Sequence, residues 1–290
     1  MMFTGFETFD VATESSTVHG RTRGSGPAVL LLHGIPETHL MWHRVAPRLA
    51  ERFSVVVTDL RGSGDSGRPP STADHGPYSM REIAAEQVKV MAALGHRRFA
   101  VIGHDRGSRC AYRMALDHPA VVTRLGVLDI IPTGEVFRGE MGGGFWVWSF
   151  LAAPEPVPEQ LISGAPDTLV DHMLDSWSST PGVFSPELRD AYRAPFHDPR
   201  AVHAICEEYR AAASRDREHD ETDRGYRKIE CPTLVLWGET GGIAGDGADP
   251  LRIWRNWWEN VTGESVPCGH FLPEEAPDRT TELLLRFLTA

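Results

Sequence analysis

The chain has 290 residues, of which 41% are hydrophobic and 24% charged, and its formal net charge is −11 at pH 7. A chain of that length and composition can bury a sizeable core as one domain with an insertion. Its basic residues are scattered, which excludes a nucleic-acid-binding stripe, and no apolar run approaches the ~20 residues that span a bilayer, so neither nucleic acid nor membrane is expected as a partner.

Met1 to Glu14 contains acids and no apolar segment, so a signal peptide is not expected. Cys110, Cys206, Cys231 and Cys268 share no short spacing. Neither a metal site nor a disulfide framework is therefore expected, which fits a reducing, cytoplasmic compartment.

In chain order, Phe3 to Gly24 reads as two weakly marked strands of a hairpin. Ala28-Val29-Leu30-Leu31-Leu32 is a continuous apolar run, as expected of a strand buried on both faces of a parallel sheet. His33-Gly34-Ile35-Pro36 follows it, and loops at the carboxyl ends of central strands are where α/β sheets place ligands. Trp42, Val45, Ala46 and Leu49 recur at helical spacing. Ser54 to Thr58 is a further buried strand. Asp59 to Gly67 is glycine-rich but lacks the Gly-Lys-Ser/Thr ending of a phosphate loop, so it reads as structural. Met80 to Leu94 predicts a helix with Ile83, Val90 and Leu94 inward.

The stretch Phe99 to Arg109 organises the rest. A short apolar run ends in Gly103-His104-Asp105-Arg106-Gly107, and a helical pattern follows through Asp117. Strand, sharp turn and helix make a nucleophile elbow, and its tip carries Asp105 rather than Ser. A carboxylate attacks an sp³ carbon bearing a leaving group and gives an ester that water then cleaves. The alternative is that Asp105 only caps the helix. In such elbows the N–H after the nucleophile and one from the loop after the first central strand hold an oxyanion; here these are Arg106 and Ile35.

Arg124 to Ile130 predicts another strand, containing Asp129. From Pro132 to about Asp223 the strand–helix alternation gives way to a Gly142-Gly143-Gly144 run, Trp146, Trp148 and several short helical patterns. This stretch reads as an inserted helical cap (132–223) on a core of residues 1–131 and 224–290. Alternation resumes with the strand Thr233 to Gly238, a Trp-rich helix (Trp254, Trp257, Trp258), the loop Cys268-Gly269-His270-Phe271, and a last helix from about Pro277 to Leu288. The fold class is α/β, with a mostly parallel sheet flanked by helices.

His33-Gly34-Ile35-Pro36, Asp59 to Ser66, Gly103 to Gly107 and Gly269-His270-Phe271 together resemble the α/β-hydrolase superfamily in its aspartate-nucleophile branch. Within it, Asp105 to Arg109, Val127 to Thr133, Trp148 to Leu151, Cys206 to Arg210 and Gly269 to Glu275 resemble the fluoroacetate (haloacetate) dehalogenases. That resemblance implies hydrolysis of 2-haloacetates to glycolate and halide, no cofactor, and a homodimer. It implies Asp105 as nucleophile, His270 as the base that activates water, and Asp129 as the acid behind the histidine. Glu239, just past the strand ending Trp237-Gly238, is the rival acid, because many relatives place it there.

Arg106 and Arg109 stand three apart at a helix start and suit a carboxylate substrate; the alternative is that they pair with surface acids, as is expected of Arg113. By the same resemblance a His-Trp pair and a Tyr of the cap would bind the departing halide. Trp148 and Tyr209 match, but Val147 stands where His is expected, and His172 or Trp146 nearby is left to supply the donor. Trp177 is a pocket-lining or core aromatic. Two other functions compete. An epoxide hydrolase would need two cap tyrosines, from among Tyr192, Tyr209 and Tyr226. A non-catalytic small-carboxylate binder on the same fold would need no intact triad.

Overall fold

The computed structural model describes residues 2–140, 146–241, 243, 249–259 and 261–290; Gly142-Gly143-Gly144 lies outside them. Its centre is an eight-stranded sheet in the order β1-β2-β4-β3-β5-β6-β7-β8, formed by β1 (Glu7–Ala12), β2 (Thr17–Arg23), β3 (Ala28–Leu32), β4 (Ser54–Thr58), β5 (Phe99–His104), β6 (Val122–Leu128), β7 (Thr233–Gly238) and β8 (Thr262–Val266). The hairpin β1–β2 joins the sheet antiparallel, and every pairing from β4 through β3, β5, β6 and β7 to β8 is parallel.

Alternation along the strands sorts their side chains into two layers. Leu30, Leu32, Val101, Val127 and Val235 face α1 (Met80–Ala93) and α2 (Arg106–Asp117), in a cluster with Ile83, Cys110, Met114, Trp254 and Trp257. Val29, Leu31, Ile102, Leu128 and Leu236 pack with Trp42, Val45, Leu49, Leu283 and Leu284 on the other face. Strands buried on both faces explain the unbroken apolar runs of β3 and β5.

Between β6 and β7 the described residues are helical: α3 (Trp146–Leu151), α4 (Val157–Gly164), α5 (Pro166–Trp177), α6 (Pro186–Arg193) and α7 (Pro199–Ala211), with shorter turns between them. They share an apolar cluster of their own (Val147, Leu151, Ile162, Val170, Met173, Tyr192) that reaches Ile35 and Phe271 on the sheet side. The chain ends in α8 (Pro277–Thr289).

Two expectations are corrected. The strand holding the candidate acid ends at Leu128, one residue before Asp129, whose backbone turns to φ 52°. The Trp-rich helix stops at Trp254, and Trp257 and Trp258 follow in the turn beyond it.

The register positions the site. Leu32 pairs with Gly103, Gly103 with Val127, Leu128 with Leu236, and Gly238 with Val266. The carboxyl ends of β3, β5, β6, β7 and β8 therefore open on one edge, the place where parallel sheets expose their loops to ligand.

Candidate active site

Asp105 is the single residue between β5 and α2, with φ 44° and ψ −116°. A non-glycine residue in that region carries about 1–3 kcal/mol of strain and persists only where its surroundings enforce it. Those surroundings are glycines. A Cβ on Gly103 would sit 2.3 Å from the Gly107 carbonyl carbon, and one on Gly107 would sit 2.4 Å from the Leu32 carbonyl oxygen. A Cβ on Gly34 would meet the Asp105 Cβ at 2.5 Å. Ser108 pins the turn: its hydroxyl donates to the Gly103 carbonyl at 2.6 Å and accepts from the Leu128 N–H at 2.9 Å. The Asp105 side chain makes no capping bond to α2, so the capping alternative does not describe it.

His270, on the loop after β8, lies between two carboxylates. Its Nδ1 is 2.6 Å from Asp129 Oδ2, and its Nε2 is 3.7 Å from Asp105 Oδ2. Asp129 is held in turn by the Gly238 N–H, which donates to Oδ1 at 3.0 Å. Glu239 points elsewhere, accepting from the Ser265 hydroxyl at 3.0 Å on the surface. Burial alone would depress the His270 pKa. The close approach of Asp105, with the hydrogen bond and charge of Asp129, outweighs it and lifts the imidazole to about 10. Burial likewise opposes ionisation of Asp105, but the nearby His270, then the charges of Arg109 and Arg106, hold its carboxyl at about 2. At rest the pair is carboxylate and imidazolium.

Two neighbours hold the histidine in place. Its N–H donates to the Trp177 carbonyl at 2.9 Å, and the Trp177 ring stands edge-on to the imidazole at 5.4 Å. Trp177 thus ties the end of α5 to the histidine loop. His104 donates from Nε2 to the His270 carbonyl at 2.7 Å and holds its Nδ1 3.1 Å from Glu37 Oε2. Burial pushes the His104 pKa down to about 4, so the ring is neutral, and pushes the Glu37 carboxyl up to about 7.

Arg106 and Arg109 lie on the first turns of α2. Both are buried, and neither pairs with a surface acid. Arg106 donates through Nε to Glu208 Oε1 and through Nη2 to the Glu208 carbonyl at 3.3 Å, while its Nη1 is buried without a partner. Arg109 spends Nη1 on the Ile131 carbonyl and the Thr133 hydroxyl, at 3.1 Å each, and its Nε is buried without a partner. Among the described residues Arg109 has no carboxylate within ion-pair distance. The Trp148 ring lies over both guanidiniums, 4.5 Å from Arg109 Cζ and 5.4 Å from Arg106 Cζ, and the Tyr209 ring lies 4.6 Å from Arg106 Cζ. Arg113 does pair with acids, the half-buried Asp117 at 2.8 Å and the buried Asp223 at 2.6 Å.

Ile35, Arg106, Glu208 and Tyr209 line one cavity together with His33, Gly34 and Phe196. The N–H groups of Ile35 and Arg106 have no protein acceptor among the described residues. Val147 is buried in the apolar cluster of the helices between β6 and β7. Trp146 and His172, the residues expected to replace the absent His, pack edge-to-face at 5.4 Å in an exposed groove with Phe150 and Leu161.

Two features escaped sequence reasoning. Glu208 sits beside Tyr209 in a quoted motif, yet nothing local says that its carboxylate meets an arginine 102 residues away. The His104–Glu37 contact joins the residue before the nucleophile to the residue after Pro36. A possible ligand cluster, His19, His39 and Asp59, has its donor atoms within 4.8 Å of one another. His39 already uses both nitrogens, on Asp59 Oδ1 at 2.8 Å and on the Arg21 Nε at 3.0 Å, so the cluster is a hydrogen-bonded network beside a guanidinium. His43, four residues after His39, turns its Nδ1 to the Leu40 carbonyl instead.

A parallel sheet with an aspartate-tipped elbow, and a His–Asp pair at its carboxyl edge, define an α/β hydrolase. The sequence matches the family profile described as "alpha/beta hydrolase fold" over residues 27–277. It is 42% identical to Fluoroacetate dehalogenase of Burkholderia sp, over 99% of this chain and 95% of that one. It is 31% identical to Soluble epoxide hydrolase of Corynebacterium sp. (strain C12), over 93% of each. The solved structure of an alpha/beta-hydrolase-fold protein from Nostoc sp PCC 7120 superposes with a TM-score of 0.95 at 47% identity, covering 99% of both chains. The chain belongs to the haloacetate dehalogenase family of the α/β-hydrolase superfamily and is a dehalogenase-type hydrolase. Among the described residues no helix is long and apolar enough to cross a membrane.

Proposed function

We propose that this enzyme hydrolyses 2-haloacetates to glycolate and halide through an ester on Asp105, with residues 132–223 forming a cap over the sheet. One observation carries the reading: the aspartate-tipped elbow shares its site with Arg109, a buried guanidinium that has no carboxylate partner among the described residues. A neutral substrate would leave that guanidinium without an ion-pair partner, and a buried charge without one is costly. A substrate carboxylate answers it through the free Arg109 Nε and Arg106 Nη1.

In the proposed reaction an Asp105 oxygen attacks the halogen-bearing carbon. The C–O bond forms as the C–halogen bond breaks, and halide leaves with the bonding pair past Trp148 and Tyr209. Esterification removes the negative charge of Asp105, one of the two carboxylates that keep His270 protonated. The His270 pKa then falls, the proton passes to solvent, and the freed Nε2 takes a proton from a water attacking the ester carbonyl. The oxyanion forms against the Ile35 and Arg106 N–H groups. Its collapse expels glycolate and restores Asp105. Asp129 holds the histidine tautomer throughout. The residues named need no cofactor. The resemblance implies a homodimer, which light scattering of the purified chain tests, and the scattered cysteines suit a reducing, cytoplasmic compartment.

Val147 sets the halogen preference. One absent hydrogen bond to a charged leaving group is worth about 1.5–3 kcal/mol, or roughly 10–100-fold in rate, and fluoride, small and strongly hydrated, depends on such donors most. Chloroacetate and bromoacetate should therefore turn over faster than fluoroacetate. Ring opening of an epoxide is supported less well: Tyr192 donates to Glu274 Oε1 at 2.8 Å, and Tyr226 is 89% exposed, so of the three candidate tyrosines only Tyr209 stands beside the arginine pair. Halide release from chloroacetate and fluoroacetate, run beside styrene oxide hydrolysis, tests the proposal. Diol formation without halide release would replace it with the epoxide reading, and acetate binding without any turnover would leave a small-carboxylate binder.

A further inference from the structure

We infer that Glu208 is a positioning residue that fits the anion pocket to a single carboxylate. This rests on the carboxylate reading of the site given above. Glu208 is buried on α7 and lines the same cavity as Arg106, Ile35 and Tyr209. It grips Arg106 twice, its carboxylate taking Nε and its backbone carbonyl taking Nη2. That grip fixes the plane of the guanidinium and leaves Nη1 as the nitrogen without a partner.

It also cancels a charge. The triad holds two carboxylates around one imidazolium and has no cation to spare. The positive charge offered to a ligand must come from the arginines, and Glu208 neutralises one of them in the buried pair. Arg109 is left, held by neutral oxygens on Ile131 and Thr133. Arg109 is the guanidinium of the two that has no ion-paired carboxylate among the described residues, and it matches one ligand carboxylate. A second negative charge on the ligand finds no cation and meets Glu208 in the cavity wall. The helix that brings Tyr209 over Arg106 thus also brings the counter-charge that limits what the pocket accepts.

The test uses two small unreactive probes, acetate and oxalate, with binding measured by calorimetry on the full-length protein. Wild type is expected to bind acetate and to bind oxalate no more tightly. Glu208→Gln keeps an acceptor for Arg106 Nε and removes the charge. It should tighten acetate by about tenfold and oxalate by about a hundredfold, the size expected for deleting one and two nearby like-charge repulsions in a partly screened site. Glu208→Ala removes charge and anchor together and should bind acetate more weakly than Glu208→Gln. The oxalate-to-acetate ratio is the deciding number, because a loss of packing alone would move both ligands equally. If Glu208→Ala fails to fold, the comparison of wild type with Glu208→Gln decides. Unchanged affinities in Glu208→Gln, or equal shifts for both anions, would overturn the inference while leaving the carboxylate reading intact, provided Arg109→Ala still abolishes acetate binding. Absence of acetate binding in wild type would overturn the carboxylate reading and the inference with it.

Discussion

Replacing Asp129 by Asn separates the two halves of the proposed reaction. The Gly238 N–H is fixed by the end of β7 and donates to Oδ1 of residue 129, so an Asn there keeps its carbonyl oxygen toward Gly238 and turns its NH2 toward His270 Nδ1. Two donors then face each other, and the imidazole must move its proton to Nε2, the nitrogen aimed at Asp105. A histidine protonated there cannot take a proton from water. A buried, charge-assisted bond of 2.6 Å is also lost. The equivalent change in a serine-hydrolase triad costs about 10⁴-fold, or roughly 5 kcal/mol, and a loss of about 10³–10⁴-fold in turnover is expected here. Ester formation needs only the Asp105 carboxylate and should survive. Rapid-quench halide measurement should show one halide released per active site and then a stall, and the intact-protein mass should rise by one carboxymethyl group on Asp105. Glu239→Gln, altered on the surface beside Ser265, should turn over within about twofold of wild type. Steady turnover in Asp129→Asn, or its loss in Glu239→Gln, would refute the assignment of the acid.

Three further outcomes are expected. Asp105→Asn removes one of the two carboxylates that raise His270, so its pKa should fall well below about 10 while Asp129 keeps it above that of a free imidazole; NMR titration of the ring measures this, and an unmoved value would contradict the charge coupling. Arg109→Lys loses the unpaired Nε donor and the paired grip of Nη1 on Ile131 and Thr133, so kcat/KM for chloroacetate should drop by about 10–100-fold; an unchanged value would remove Arg109 from the substrate site. Asp59, wholly buried, is penalised by burial, yet the His39 bond and the charges of His39 and His33 hold its carboxyl at about 2 against 3.8 for the free group. A depressed carboxyl stabilises the fold above the unfolded pKa and loses that contribution as pH falls through the folded one. The stability deficit of Asp59→Asn should therefore shrink by about 2 kcal/mol between about pH 5 and about pH 2, as denaturant melts at the two pH values would show.

The parts of this fold that are written locally are readable from sequence. β3, β4 and β7 have the expected limits because strands covered on both faces must be continuously apolar, and turn residues end them. The elbow is readable because its turn demands glycine at Gly103 and Gly107, where backbone atoms come within 2.4 Å of an added Cβ. β1 is weakly marked because it is an edge strand with mostly exposed side chains and no face that must be apolar. The choice between Asp129 and Glu239 is not local. Both follow strand ends, and it is the pairing of Leu128 with Leu236, with the turn at Asp129, that points one carboxylate at His270 and leaves the other in solvent. Glu208 is hidden for the same reason: an acid in an amphipathic helix reads as a solvated face until the fold sets that helix against Arg106.

The central claim is a covalent ester on Asp105, and single turnover in heavy-oxygen water tests it most directly. With enzyme in excess over chloroacetate, water attacks the Asp105 carbonyl, so the label should enter the peptide that carries Asp105 and the first glycolate should be unlabelled. Label in the first glycolate, with none in that peptide, would mean that water attacks the substrate carbon directly, and the proposed mechanism would be wrong.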